Sequence, residues 1–195
     1  VVACAEGAAG RNISFVVDRK NLNKALNAIH DSFFLSEYQT LNMFLIGVGT
    51  VGKDLLQQIK QQQQKLLKQN ALKFNVVGIS NSKRCIVDAE GVNIDNYREL
   101  LDKSEQQSSP EILQKLILEL NLPNSVFVDC TASPDIAILY NTLLENNISV
   151  VTANKIAASS KYGHYQQLKN IAVKQGVKFL FETNVGAGLP IINTF

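Results

Sequence analysis

From residue 41 onward, short apolar runs alternate with stretches whose apolar residues recur every three or four positions. The runs at 41–46, 74–79, 125–130, 148–152 and 177–182 predict strands, and the stretches at 51–69, 110–120, 134–146 and 161–175 predict amphipathic helices. Strands that alternate with helices in this way build βαβ units and a mainly parallel sheet, so the fold class is α/β. The glutamines at 57, 58, 61–64 and 69 do not interrupt the helical period of Leu55, Leu56, Ile59, Leu66 and Leu67, and they read as a solvated helix face. Residues 82–109 have weak periodicity and read as a long connection ending at Ser109-Pro110, where a helix starts.

The first 38 residues follow a different pattern. Asn12–Val17 alternates and is β-branched, which predicts a strand, and Asp18 and Asn21 offer caps for a helix carrying Leu22, Ala25, Leu26, Ile29 and Phe33 on one stripe. Such a stripe must pack on a sheet that so short a segment cannot build alone. Residues 1–38 therefore read as the back half of a small α+β module, joined through residues 36–40 to an α/β unit over 39–195.

Composition narrows the classes of function. With 46% hydrophobic and 18% charged residues, the 195-residue chain has enough apolar material for a core, which excludes disorder as its main state. A formal charge of +2 is too small for the basic stripe that a nucleic-acid partner requires. No apolar run reaches the ~20 residues of a membrane span. Cys4, Cys85 and Cys130 are odd in number and lack CxxC spacing, which fits neither a disulfide framework nor a zinc site and suggests a reducing, cytoplasmic compartment. The residues from Val1 onward lack an initiator Met and a basic leader, and the chain reads as part of something larger.

The predicted strand at 41–46 runs straight into Gly47-Val48-Gly49-Thr50-Val51-Gly52 and then into a helix. A GxGxxG run in that setting is the dinucleotide signature: Gly47 makes the tight turn, Gly49 lets the backbone approach a pyrophosphate, and Gly52 lets the helix pack on the strand. The fold expected is a doubly wound, Rossmann-like sheet. An NAD site usually places a carboxylate at the end of the second strand. Here that strand delivers Ser80-Asn81-Ser82-Lys83-Arg84, and no acidic residue occurs between Asp54 and Asp88. An amide, hydroxyls and two cations suit the 2′-phosphate of NADP, with NAD as the alternative.

Ligands of such sheets sit at the carboxyl ends of the strands. Thr131, after the third predicted strand, faces the nicotinamide or merely enters the helix that Ser133 caps. Lys155, after the fourth, holds a substrate oxygen or relays a proton, unless it is an exposed loop lysine. After the fifth, Glu182 precedes a glycine-rich loop whose carbonyls suit a hard cation, unless Gly186 and Gly188 only make room for a neighbour. Cys130 near a helix start raises the alternative of a thiol-dependent aldehyde dehydrogenase. The only histidines are His30 and His164, however, which leaves that thiol without a base and argues against a Ser/His/Asp triad or a histidine-bound metal.

Taken together, Phe44–Gly52, Ser80–Lys83, Val128–Thr131, Val150–Lys155 and Glu182–Pro190 resemble homoserine dehydrogenase in order and spacing. Asn12–Val17 and the helix ending His30-Asp31-Ser32-Phe33-Phe34 resemble the end of an aspartokinase ACT regulatory domain, so the pair resembles part of a bifunctional aspartokinase/homoserine dehydrogenase. That resemblance implies NAD(P)-dependent interconversion of L-homoserine and L-aspartate 4-semialdehyde in threonine and methionine biosynthesis, by a homo-oligomer acting on a small amino acid. It implies a pyrophosphate cradle at Gly47, Gly49, Thr50 and Val51, with Ser82 and Lys83 at the adenosine ribose or its 2′-phosphate and Thr131 and Lys155 at the reacting centre. It also implies a monovalent cation, sodium or potassium, held by Glu182 and by the carbonyls of Val185, Ala187 and Leu189. The family's substrate domain follows this segment, so the isolated chain is expected to bind cofactor without turning over. A non-catalytic regulatory or oligomerisation module is the competing expectation.

Overall fold

The computed structural model describes residues 1–7, 10, 12–22, 25, 26, 29 and 38–184. The N-terminal segment contains an antiparallel pair, β1 (Ala3–Glu6) and β2 (Ile13–Val16), joined in register from Ala3 opposite Val16 to Glu6 opposite Ile13. β2 lies where alternation predicts a strand, and every residue of both strands is exposed. Leu22, Ala25, Leu26 and Ile29 are helical as the stripe predicts, while Phe33 lies outside the described residues.

The second sheet holds six strands: β3 (Gln39–Ile46), β4 (Leu72–Ser80), β5 (Cys85–Val87), β6 (Ser125–Asp129), β7 (Ser149–Thr152) and β8 (Phe179–Leu180). Their order is β5-β4-β3-β6-β7-β8, parallel except for the β4–β5 pair. Chain direction therefore fans outward from β3, first to β4 and then to β6, which makes the sheet doubly wound and Rossmann-like.

Alternation along β3 assigns the two faces. Met43 and Leu45 join Leu56 and Ile59 of α1 (Thr50–Asn70) and Tyr97 and Leu101 of α2 (Tyr97–Lys103). Phe44 and Ile46 join Leu113 and Ile117 of α3 (Pro110–Leu120), together with Leu143 of α5 (Tyr140–Glu145) and Leu168 of α7 (Tyr162–Gln175). The α1 glutamines are exposed, as its period predicts. Among the described residues no helix is long and apolar enough to cross a membrane.

Four stretches differ from the sequence reading. Residues 82–109 are not a plain connection, because they contain β5 and α2, elements of three and seven residues that are too short to show a period. The helix expected over 134–146 is broken into α4 (Pro134–Ala137) and α5, where the Leu139 N–H steps back only three residues to the Ile136 carbonyl. The strand expected over 177–182 shrinks to β8, and Glu182–Asn184 turn into a 3₁₀ helix. A short helix, α6 (Lys155–Ala158), follows β7 where the periodicity gave no sign of one.

Candidate functional site

The chain leaves β3 through a turn held at both sides. The Gly47 N–H donates to the Ser80 carbonyl at the end of β4 (2.8 Å), and the Cys130 N–H beyond β6 donates to the Ile46 carbonyl (2.8 Å). Gly47 has φ +92°, which a side chain would strain, and a Cβ there would lie 2.8 Å from Thr131 Cγ2. Gly52 is buried in the first turn of α1 against the Gly47 carbonyl, whereas a Cβ on Gly49 would meet nothing within 4 Å. The first and third glycines are thus demanded by the protein's own packing. The middle one faces open space, which a ligand backbone contact would use.

That space is a cavity of about 570 Å³ between the ends of β3 and β6. Gly47, Val48 and Gly49 form one wall, Cys130, Thr131, Ala132 and Ser133 another, and Asn81, Ser82, Ser108, Ser109 and Pro110 close one end. Thr50 and Val51, exposed in the first turn of α1, lie outside the lining. The leading N–H groups of a helix have no intrahelical acceptor, and they carry the positive end of its dipole. The first turn of α1 contains no acidic residue to oppose an anion there.

At the Asn81 end the side chains divide their work. Asn81 Oδ1 accepts from the Lys83 and Arg84 N–H groups, each at 2.8 Å, so this amide shapes the turn as well as lining the cavity. Ser80 Oγ, buried, meets Ser108 Oγ at 2.6 Å and ties the entry of α3 to the end of β4. The Lys83 side chain is exposed and outside the lining. The Arg84 guanidinium donates to the Asp102 carbonyl at the end of α2, which turns it to that helix. Ser108 and Ser109 escaped the sequence reading as site residues. Ser109-Pro110 marks a helix start, and Ser109 Oγ does accept from Ile112 N, but nothing local says which cavity that start borders.

Thr131 lines the cavity, and its Oγ1 accepts from the Ser133 N–H at the entry to α4 (3.1 Å), the helix-entry role. Burial and the neighbouring Asp129 charge push the Cys130 thiol from its ordinary 9.0 up to about 11, away from the thiolate that nucleophilic catalysis needs. Lys155 is exposed at the start of α6 and does not line the cavity. Glu182 opens the final 3₁₀ turn, and Val185, Ala187 and Leu189 lie outside the described residues.

A buried polar cluster that the sequence reading missed lies under these loops. Asp129, fully buried, accepts from the Thr131 N–H at 2.7 Å, the Tyr140 hydroxyl at 2.5 Å and Asn154 Nδ2 at 3.0 Å. The Tyr140 hydroxyl also lies 2.8 Å from Thr152 Oγ1, which accepts from the Asn154 N–H at 2.9 Å. Burial, reinforced by the Asp129 charge, holds the Tyr140 hydroxyl well above its ordinary titration range. Asn154 donates to the Ser133 carbonyl as well, and its Oδ1 caps α6 through the Ile156 N–H.

A sequence model described as the homoserine dehydrogenase NAD-binding domain matches residues 47–182. The chain belongs to this family. Its match begins at the first glycine of the turn and ends at Glu182, and it takes in every residue lining the cavity except Ile46. Bifunctional aspartokinase/homoserine dehydrogenases of Buchnera aphidicola and Haemophilus influenzae are each 38% identical, over 100% and 98% of this chain. The chain spans only 24% and 23% of their lengths. The homoserine dehydrogenase of Schizosaccharomyces pombe is 33% identical over 79% of the chain and 41% of its own length. Among solved structures, a hyperthermophilic archaeal homoserine dehydrogenase in complex with NADPH superposes with a TM-score of 0.62 at 27% identity, covering 80% of this chain and 48% of that one. The Thermoplasma acidophilum enzyme, at 24% identity and a TM-score of 0.63, shares the fold over 80% of this chain and 47% of its own. Within this family's fold the chain thus carries the glycine turn and the cavity together at the carboxyl ends of β3 and β6 of a Rossmann-like sheet.

Proposed function

We propose that the chain is the NADP-preferring cofactor domain of a homoserine dehydrogenase, within a bifunctional protein that also carries aspartokinase. The observation that carries this reading is the glycine turn opening on the cavity with free space at Gly49 alone. When bound, NADP supplies the hydride acceptor for oxidising the primary alcohol of L-homoserine to the aldehyde of L-aspartate 4-semialdehyde. The N–H groups of the turn and of Thr50, Val51 and Gly52 hold the diphosphate, while Ser82 and Lys83 receive the 2′-phosphate that a carboxylate would repel. Lys155 holds the substrate oxygen and relays its proton beside Thr131.

Residues 1–38 are the end of an ACT-like regulatory domain and 39–195 the NAD(P)-binding domain. In support, the bifunctional Buchnera relative matches the whole chain, whereas the Schizosaccharomyces pombe enzyme matches 79% of it. Glu182 and the carbonyls of Val185, Ala187 and Leu189 hold a sodium or potassium ion. Asn184 Oδ1, buried and without a hydrogen-bond partner among the described residues, fits an oxygen-rich site of that kind. The parent is a cytoplasmic homo-oligomer, a compartment that suits the three free thiols.

Calorimetric titration of the chain with NADPH and NADH tests the reading. NADPH is expected to bind about tenfold more tightly. Equal affinities overturn the preference for NADP, and failure of both to bind favours a non-catalytic regulatory module instead.

A further inference from the structure

A buried carboxylate is an expensive way to hold a sheet together. Desolvation opposes it, and apolar residues of similar volume serve stability as well or better. Asp129 is nonetheless fully buried at the carboxyl edge of the sheet, and Tyr140, Thr152 and Asn154 around it are at most 2% exposed. Its hydrogen bonds are not spread over the core. Two of the three go to the loops that leave the carboxyl ends of the strands, one to the Thr131 N–H after β6, beside the cavity, and one to Asn154 after β7. Asn154 is in turn committed on every side: one amide N–H on Asp129, another on the Ser133 carbonyl, and its oxygen on the Ile156 N–H. The residue that follows it is Lys155, the first of α6.

We infer that Asp129 is a positioning residue: through Asn154 and Thr131 it fixes the two loops that carry the reacting centre, and so sets where Lys155 stands. This inference rests on the homoserine dehydrogenase reading. Tyr140 braces the carboxylate and meets Thr152 Oγ1 with the same hydroxyl, its ring wedged between those of Phe127 and Phe179 at centroid distances of 6.2 and 6.0 Å. The pyrophosphate turn at Gly47–Gly52 shares none of these side-chain hydrogen bonds, so losing them separates turnover from cofactor affinity.

Donor and acceptor arithmetic identifies the informative change. An ionised carboxylate only accepts, whereas the amide of Asp129→Asn presents one acceptor and one donor face. Its oxygen can stay on the Thr131 N–H, and the Tyr140 hydroxyl can reverse and give its proton to Thr152. Asn154 has no such freedom, because turning its oxygen toward residue 129 would uncap α6 and abandon the Ser133 carbonyl. The Asp129–Asn154 bond therefore breaks at almost unchanged shape and volume. Tyr140→Phe keeps that bond and removes only the brace, at unchanged ring packing.

The test uses the full-length protein that contains this chain, reading kcat and KM for homoserine oxidation alongside the NADPH dissociation constant. Asp129→Asn is expected to lower kcat about 20- to 100-fold and Tyr140→Phe about three- to fivefold, each leaving NADPH affinity within about twofold. A folded Asp129→Asn enzyme with kcat within about twofold of wild type overturns the inference. So does a joint fall of kcat and NADPH affinity, which would mark a merely structural role. Should Asp129→Asn not fold, Tyr140→Phe decides by the same split: loss of kcat alone supports the inference, and no loss or a joint loss overturns it. A wild-type protein that binds NADPH without oxidising homoserine overturns the function itself and this inference with it. An active wild type beside an unimpaired variant overturns the inference alone.

Discussion

Gly52 lies directly against Gly47: a methyl group on Gly52 would stand 2.0 Å from the Gly47 carbonyl oxygen and 3.5 Å from Cys130 Cβ. The obstacle is backbone, which cannot swing aside as a long side chain can. We expect Gly52→Ala to destabilise the domain by about 3 kcal/mol, the upper end for overpacking. That lowers the melting temperature by roughly 6–12 °C for a chain of this size. Gly49→Ala is the contrast, since no protein atom lies within 4 Å and its φ of −70° suits any residue. Its stability should stay within about 0.5 kcal/mol of wild type, with NADPH affinity reduced about tenfold because the new methyl occupies ligand space. Thermal melting and calorimetry on the two variants check both halves, and equal effects on stability would contradict the division of roles.

Lys83 and Arg84 are adjacent cations that the fold treats differently. Arg84 spends its guanidinium on the Asp102 carbonyl, whereas Lys83 projects into solvent from the turn that borders the cavity. Lys83→Ala should weaken NADPH about tenfold, the value of one charge-assisted contact at an exposed position, and leave NADH within about twofold. Arg84→Ala should leave the ratio of the two affinities unchanged. Parallel titrations of both variants with both nucleotides read this out. A loss of preference in Arg84→Ala rather than Lys83→Ala would assign the 2′-phosphate to the other cation.

These cases show what the sequence could and could not say. The packing roles of Gly47 and Gly52 were legible because they follow from backbone sterics within six residues. The strand leading into the turn and the helix after it were legible because an apolar run ends at Gly47 and apolar residues then recur every three or four positions. The partner of Arg84 is a main-chain carbonyl 18 residues away, which no side-chain pattern announces. Asp129 reads as the polar end of an apolar strand. Its importance lies in bonds to Tyr140 and Asn154, 11 and 25 residues on, brought together only when β6, β7 and the broken helix pack. The break between α4 and α5 was equally hidden, because apolar periodicity continues through Ile138 and Leu139 without a glycine or proline.

The Cys130 thiol offers a pH test. Held at about 11 by burial and by Asp129, it is protonated in the folded state through the interval above 9.0 where the unfolded chain has already ionised. The unfolded state then binds fewer protons, so stability falls as pH rises between about 9 and 11. The Tyr140 hydroxyl, shifted the same way by burial and the same carboxylate, adds to the loss above pH 10. Urea unfolding across this range should show midpoints that decline with pH, with a shallower slope in Cys130→Ala. At pH 8 only about one Cys130 in a thousand is thiolate, so alkylation followed by mass spectrometry should modify exposed Cys4 well before Cys130.

Lys155 is the residue on which turnover is expected to depend most sharply. It is exposed at the first position of α6, and the helix cap beneath it comes from Asn154, so its own side chain contributes little to the fold. Lys155→Ala should change stability by no more than about 0.5 kcal/mol. It lies outside the cavity lining, and NADPH affinity should stay within about threefold of wild type. Removing a group that holds the reacting oxygen and relays its proton should cost about 10²- to 10⁴-fold in kcat for homoserine oxidation by the full-length protein. Steady-state kinetics beside a cofactor titration separate these effects. A variant that keeps kcat would remove Lys155 from the chemistry, whereas one that loses NADPH binding in step with kcat would make it a cofactor anchor.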